Sequence, residues 1–281
     1  MKLIADSGST KTSWHLISDS GTTQTDCETA GINPFFQQSS DIVKTLATEF
    51  SIPVQGLDSL YFYGAGAANE AKKQELFNAL QEYFKTETIF VESDLLAAAH
   101  SLCGNQPGIA AIMGTGSNSC YYDGTKIVAN VSPLGYILGD EGSGAVLGRK
   151  LLSEILKNQF PQHLIKLFFE NCSDTPAQIM ENVYRKPFPN RYMARFTRFL
   201  SANLQEEAVN NLVLNSFVEF FRRNIKQYSQ AGDLPVHFTG SIAWHFREVL
   251  KQAAEKTGFT MGKVCQNPME GLIRYHRQIR Q

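Results

Sequence analysis

Lys2-Leu3-Ile4-Ala5-Asp6-Ser7-Gly8-Ser9-Thr10-Lys11-Thr12 is the stretch from which the rest of the chain is read. An apolar run ends in a carboxylate, a turn of small residues follows, and a second strand-like run from Thr12 to Ile17 begins at once. The pattern predicts a β-hairpin whose tip presents backbone N–H groups and hydroxyls beside one acid. Gly8 lets the backbone approach a ligand closely, and Ser7, Ser9, Thr10 and Thr12 carry hydroxyls that can donate to phosphate oxygens. Asp6, closing the first strand, can hold a hydrated magnesium ion, since that ion keeps several waters and takes few protein ligands. A plain hairpin with a polar turn is the alternative, and the stretch alone leaves both open.

A third polar strand, Gly21 to Thr29, extends the pair into an antiparallel meander broken by Gly31 and Asn33-Pro34. Asn33 there is either a turn former before proline or a ligand-facing amide. Residues 39–50 place Ile42, Val43, Leu46 and Phe50 on one helical face. Leu60 to Tyr63 is a strand ending at Gly64-Ala65-Gly66, followed by a helix over about 68–85 and a strand from Thr88 to Val91. The order predicts a mixed sheet flanked by helices. Asp94 stands where that last strand meets a helix over Leu95–Leu102. It is either the helix N-cap or a carboxylate at the sheet's carboxyl edge, where α/β folds place ligands.

The opening pattern then recurs. Gly108 to Met113 is an apolar strand ending in Gly114-Thr115-Gly116-Ser117-Asn118-Ser119, with strands at Cys120–Tyr122 and Lys126–Val131 around an Asp123-Gly124 turn. A duplicated meander implies two similar domains, each with its own phosphate-binding hairpin. Gly135-Tyr136-Ile137-Leu138-Gly139-Asp140-Glu141-Gly142-Ser143-Gly144 is a glycine-rich, acidic loop entering a helix over about 145–158. Residues 159–231 carry helical spacing, and the stripe Phe217, Phe220, Phe221 reads as core. Val236 to Thr239 is a buried-type strand, and Gly240-Ser241 open a helix whose start can face a nucleotide. The last helix, about 269–280, reads as a solvated basic face with Arg274, His276, Arg277 and Arg280.

Composition narrows the classes. The 281 residues suffice for two domains, and 26 Lys and Arg against 27 Asp and Glu give no basic surface for nucleic acid or membrane. MKLIADSG reads as a strand entering a polar turn rather than as a signal core, and no apolar run reaches membrane-spanning length, so a cytoplasmic protein is expected. Five scattered cysteines without a C-x-x-C pair read as reduced thiols, and the six histidines lack zinc-ligand spacing.

With these motifs assembled, the chain resembles the sugar-kinase branch of the acetate and sugar kinase, heat-shock chaperone and actin superfamily. Within that branch it is similar to the N-acetylglucosamine kinases of the BadF/BadG/BcrA/BcrD group. The first phosphate motif matches Asp6-x-Gly8-x-Thr10-Lys11-Thr12, the second Gly114-Thr115-Gly116-Ser117-Asn118, the signature Gly139 to Gly144, and the adenosine motif Thr239 to Ala243. The resemblance implies an α/β fold of two ribonuclease-H-like (actin-like ATPase) domains, each a mixed five-stranded sheet flanked by helices, with a cleft between them. Residues 1–104 would form the first domain, which the helix 269–281 can complete. Residues 105–268 would form the second, with a helical insertion.

The resemblance further implies ATP and Mg2+ and a sugar acceptor, with no nucleic-acid or membrane partner and a homodimer left open. Asp94 falls on the catalytic position, and Asn33, Asp94, Thr115 and Asp140 on sugar-contacting ones. Ser7 to Thr12, Gly114 to Ser117, Gly240 and Ser241 fall on nucleotide positions, and Asp6 on the metal position. One departure is Pro133-Leu134-Gly135, where acetylhexosamine kinases usually read Gly-Trp-Gly. The alternatives are an ATPase that activates a dehydratase through an iron–sulfur cluster, a zinc-motif sugar kinase of the repressor/ORF/kinase family, and a non-catalytic sugar sensor.

Overall fold

The computed structural model describes residues 1–8, 10–18, 22–67 and 69–278, except the side chains of Thr23 and Gln24. Ser9, Gly21 and Arg280, named above, lie outside the described residues. The first half runs β1 (Lys2–Ser7), β2 (Lys11–Ile17), β3 (Thr23–Ala30), α1 (Ser39–Glu49), β4 (Ser59–Gly64), α2 (Glu70–Phe84), β5 (Ile89–Ser93) and α3 (Asp94–Cys103). The second continues β6 (Gly108–Met113), β7 (Ser117–Tyr122), β8 (Ile127–Val131), α4 (Gly135–Leu138) and α5 (Gly144–Leu156). Five helices follow: α6 (Gln162–Asn171), α7 (Pro176–Tyr184), α8 (Pro189–Ala194), α9 (Thr197–Ala202) and α10 (Glu207–Arg223). The chain ends with β9 (Val236–Thr239), α11 (Ser241–His245), α12 (Arg247–Thr257), β10 (Met261–Cys265) and α13 (Met269–Gln278).

Two five-stranded sheets result, ordered β3-β2-β1-β4-β5 and β10-β9-β6-β7-β8. In each, a hairpin meander is antiparallel, and the remaining strands add in parallel to the meander's first strand. The same connectivity arises twice because the same order of turn, strand and crossover helix occurs twice. The chain divides into two compact units, one of Met1–Gln106, Gly124–Lys126 and Pro268–Gln281, the other of Pro107–Asp123 and Ile127–Asn267.

In the first unit, side-chain alternation along β1 decides what covers each face. Leu3 and Ala5 join Trp14, Phe62, Ile42, Leu46, Leu76 and Phe84 in the core beneath α1 and α2. Ile4 joins Tyr61, Tyr63 and Ala97 with Met269 and Leu272 on the opposite face, beneath α3 and α13. Asp6 has the parity of Ile4, so its carboxylate leaves the sheet on the α3 side.

The basic reading of the last helix is corrected at His276, which is buried rather than solvated. Tyr63 Oη lies 3.0 Å from His276 Nε2 and 3.0 Å from His100 Nδ1, joining α13, β4 and α3. Burial lowers the pKa of His276 to about 3 and that of His100 to about 4, so both rings pack neutral.

The second unit buries Ile109, Ala111 and Met113 of β6 against Leu147, Leu151, Phe217, Phe221, Val249 and Leu250. The stripe Phe217, Phe220, Phe221 is core, as its spacing indicates.

Candidate functional site

The first unit gathers its acids at the carboxyl ends of β1, β4 and β5, where Ser7, Gly64 and Ser93 stand level with one another. The helix-cap alternative for Asp94 is corrected by one residue: Ser93 is the N-cap, its Oγ accepting from Leu96 N–H at 3.2 Å. Asp94 is therefore the first helical residue, and the nearby backbone N–H groups of Leu95 and Asp94 favour its charged form. Burial raises the pKa of Asp94. That of Asp6 is pushed up to about 7, chiefly by burial and next by the Asp94 charge, while Lys11 opposes the shift. Two acids that raise one another's demand for positive charge occupy one sheet edge.

Several predicted phosphate donors have other employment. Ser7 Oγ lies 2.8 Å from Thr12 Oγ1 and donates to Ile32 O at 3.0 Å, while accepting from Ile32 N–H at 3.0 Å. Both hydroxyls are buried, so they fasten the hairpin to the end of the meander instead of facing a ligand. The physical reason is parity: Ser7 points to the face of Leu3 and Ala5. Gly8 N–H donates to Lys11 O at 3.0 Å, closing the tip, and Lys11 pairs with exposed Glu28. Gly8 and Thr10 are exposed at that tip.

Asn33 follows the meander. Its Oδ1 accepts from Phe35 N–H at 2.9 Å and its N–H donates to Gln37 Oε1 at 2.8 Å, leaving the amide nitrogen without a bond among the described residues. Gly66 seats this turn: a Cβ there would lie 2.3 Å from Pro34 Cδ and 2.8 Å from Asn33 Oδ1. Gly66 was not singled out from sequence for any role. The signal present was its place at the mouth of β4, two residues past the strand end.

In the second unit the tip is Gly114-Thr115-Gly116, closed by Gly114 N–H on Gly116 O at 2.9 Å. The tip is locked to α5, whose Gly144 and Ala145 N–H groups donate to Gly114 O and Thr115 O at 2.8 and 3.0 Å. Thr115 is half-buried, and its hydroxyl makes no bond among the described residues. Ser117 repeats the correction found at Ser7, since its buried Oγ donates to Glu141 O at 2.8 Å.

Asp140 is buried with a left-handed backbone, φ 53°. Its N–H donates to Pro133 O at 2.9 Å, and its Oδ1 accepts from Ser117 N–H at 3.3 Å. A Cβ on Gly116 would come within 3.1 Å of Asp140 Oδ2, so glycine there admits the carboxylate over the tip. Burial, with Glu141 adding to it, pushes the pKa of Asp140 up to about 6 against the Ser117 N–H. Pro133-Leu134-Gly135, where an aromatic ring is absent, leads into α4, and Leu134 just before it and Ile137 and Leu138 on it are exposed.

Gly240 precedes α11 with φ 120°, its N–H donating to Cys265 O at 3.1 Å, and Ser241 is exposed at the helix start.

The donor chemistry of the first unit fits magnesium. Asp6 and Asp94 offer hard carboxylate oxygens whose mutual repulsion a cation relieves. No group of three or more His, Cys, Asp or Glu arranged for a metal exists among the described residues.

No family model matches the chain, and no curated protein matches it. A solved structure does. A candidate N-acetylglucosamine kinase from Porphyromonas gingivalis is 49% identical over 99% of both chains, with a TM-score of 0.95. The chain belongs to the N-acetylglucosamine kinase-like family. The fold extends further: a candidate N-acetylglucosamine kinase from Chromobacterium violaceum superposes with a TM-score of 0.74 at 17% identity, over 98% of each chain. A ROK family glucokinase from Streptomyces griseus, solved with glucose and AMPPNP, gives 0.59 at 14% identity over 98% of each chain.

In this N-acetylglucosamine kinase-like protein two mixed five-stranded sheets are flanked by helices, an α/β fold. No helix among the described residues is long and apolar enough to cross a membrane. Besides Gly66, reading the kinase from sequence also missed Glu141 as an individual residue. Its signal was the adjacent acid pair Asp140-Glu141, one of which faces the tip and the other the interior.

Proposed function

We propose that this kinase transfers the γ-phosphoryl group of ATP to a hydroxyl of N-acetylglucosamine, with Asp94 as the catalytic residue. The observation that carries the reading is that Ser93 does the capping, which leaves Asp94 as a half-buried acid of raised pKa beside Asp6. Its kinship to a candidate N-acetylglucosamine kinase at 49% identity supports the acceptor.

In the reaction the acceptor oxygen forms a bond to the γ-phosphorus while the bond to the β,γ-bridging oxygen breaks and ADP departs. Phosphoryl transfer leaves the protein mainly positioning and charge stabilisation to supply. Asp94 accepts a hydrogen bond from the acceptor hydroxyl, orients its lone pair and takes the proton late, and a raised pKa makes it a better base than an ordinary aspartate. Asp6 would hold magnesium, which neutralises phosphate charge when bound. In the first unit the Thr10 hydroxyl, and in the second the Thr115 hydroxyl with Gly240 and Ser241, are the groups that would serve the nucleotide. Asn33 in the first unit, and Thr115 with Asp140 in the second, are the groups that would bind sugar hydroxyls, and polar groups of this kind reject analogues lacking them. The buried Cys120 thiol and the Cys172 thiol, which leans on Asp174 O at 3.7 Å, give no support to an iron–sulfur activator.

The test is coupled ADP release with N-acetylglucosamine, N-acetylmuramic acid, glucosamine and glucose. N-acetylglucosamine is expected to give the highest kcat/KM. ADP release that no sugar raises above the sugar-free rate overturns the kinase reading, and a preference for glucose overturns the acceptor.

A further inference from the structure

We propose that Glu141 is a positioning residue for the sugar acceptor, clamped by Arg223 and Asn224 so that Asp140 and the Thr115–Ser117 tip hold their binding geometry. The proposal rests on the kinase reading above, which makes Asp140 a sugar ligand.

Glu141 is buried, and both its carboxylate oxygens and its carbonyl are tied to neighbours. Its Oε2 accepts from Asn224 Nδ2 at 3.0 Å, its Oε1 pairs with Arg223 Nη1 at 3.0 Å, and its carbonyl accepts from Ser117 Oγ at 2.8 Å. Asn224 is itself buried, closes α10 as its C-cap, and donates also to Phe220 O at 3.3 Å. Arg223 reaches Glu219 at 3.5 Å, and Glu219 pairs with Lys150 of α5 at 2.7 Å. One residue thus joins the tip, the acidic loop and α10, while α5 is tied to the tip by its own first N–H groups.

What this clamp fixes is a strained neighbour. Asp140 holds φ 53°, a left-handed conformation that a non-glycine residue keeps only when its surroundings over-determine it. Pro133 O and Ser143 N–H hold its backbone from one side, at 2.9 and 3.0 Å, and Glu141 holds the next peptide from the other. Were the Glu141 side chain released, the carboxylate of Asp140 would lose its set-back over Gly116, where the clearance is 3.1 Å to a would-be Cβ.

A merely structural ion pair with one buried partner would behave differently. Losing one partner of such a pair lowers stability and leaves binding parameters alone in the molecules that remain folded. A positioning role raises KM for the sugar and spares kcat and KM for ATP. It also moves a titration. The charged group acting on Asp140 is Glu141, which faces Arg223 on α10, and Glu219 and Lys150 lie beyond it. Removing the Glu141 charge therefore lowers the Asp140 pKa.

The experiment uses the full chain with Glu141→Gln, Glu141→Asp and Arg223→Met. For Glu141→Gln the sugar KM is expected to rise roughly tenfold, with kcat and ATP KM within about twofold. The acid limb of kcat/KM for the sugar is expected to shift to lower pH. Glu141→Asp should recover part of the KM. Arg223 is exposed, so Arg223→Met should fold even where Glu141→Gln does not, and it is expected to raise the sugar KM by a smaller factor. A sugar KM within twofold of wild type for both Glu141→Gln and Arg223→Met overturns the proposal. Titration of the Asp140 carboxyl by carbon-13 NMR needs no turnover: a lower pKa in Glu141→Gln is expected, and an unchanged one overturns the coupling. Wild-type protein that phosphorylates no sugar defeats the kinase reading instead, and the NMR shift still decides whether Glu141 sets Asp140.

Discussion

The first hairpin closes its tip by Gly8 N–H on the Lys11 carbonyl, and its acids arrive from strand ends, Asp6 on β1 and Asp94 one residue past β5. The second closes by Gly114 N–H on Gly116 O, and its strand supplies no acid. Ile112 stands one residue before the last paired position of β6, Met113 opposite Ser117, as Asp6 stands before Ser7 opposite Thr12. There the carboxylate comes from Asp140, carried over the tip by a left-handed loop. Duplication kept the frame, including the inward hydroxyls of Ser7 and Ser117, and let the chemistry diverge. A hairpin frame is fixed by alternation and pairing, whereas an acid can be delivered to its mouth by any neighbouring segment.

The largest effect that would break or sharpen this contrast is expected at Asp94. Asp94→Asn keeps the cap, because Ser93 Oγ is untouched, and should lower kcat by about 10³-fold or more without lowering the melting temperature. Coupled ADP release and a thermal melt decide it. Turnover within tenfold of wild type would return Asp94 to a structural role. Asp140→Asn comes next. Asparagine tolerates the left-handed backbone and can still accept from Ser117 N–H, so the variant should fold and lose about 10²-fold in kcat/KM for the sugar.

Asp140→Asn also has a stability signature. The folded pKa of Asp140, about 6, lies above its ordinary 3.8, so the folded state holds that proton more tightly than the unfolded state does. Its contribution to stability is complete below about pH 4 and is lost as the pH rises through 6. The ligand-free variant should therefore melt a few degrees above wild type at pH 8, at roughly 2–4 °C per kcal/mol, with the gap narrowing toward pH 4. Melts that shift equally at both pH values would mean that Asp140 is not held against its own ionisation.

A smaller effect compares the tips directly. A Cβ at Gly116 would meet Asp140 Oδ2 at 3.1 Å, whereas one at Gly8 finds its nearest atom, Lys11 O, at 3.8 Å. Gly116→Ala should raise the sugar KM about tenfold, and Gly8→Ala should leave it within about twofold. Equal effects would show that the two tips are crowded alike.

Much of this was legible in sequence, for physical reasons that differ by residue. Alternation and small-residue turns are local, so both meanders and the strand–helix order could be read from them. Parity would also have turned Ser7 toward Leu3 and Ala5, yet the run of hydroxyls invited a ligand reading for all of them. Ser93 and Asp94 are both good caps, and a single-residue register chooses between them, which sequence cannot do. His276 read as a surface charge because its partner Tyr63 is 213 residues away. Glu141 was hidden for the same kind of reason, its partner Asn224 lying 83 residues on.

The smallest expected effects lie in the serine caps, where the units again correspond. Ser93 Oγ accepts from Leu96 N–H at 3.2 Å and Ser143 Oγ from Val146 N–H at 3.3 Å, each opening the helix behind its unit's site. Ser93 is half-buried, so water can reach the N–H group that Ser93→Ala releases, and the loss should be about 1 kcal/mol. Ser143 is fully buried and Val146 nearly so, which leaves the freed donor dry, and Ser143→Ala should be the larger loss, at about 2 kcal/mol. Urea titrations of the two variants at pH 7 compare them directly. An order reversed from this would mean that the Gly114 and Thr115 carbonyls, which already bind the first two N–H groups of α5, hold that helix without its cap.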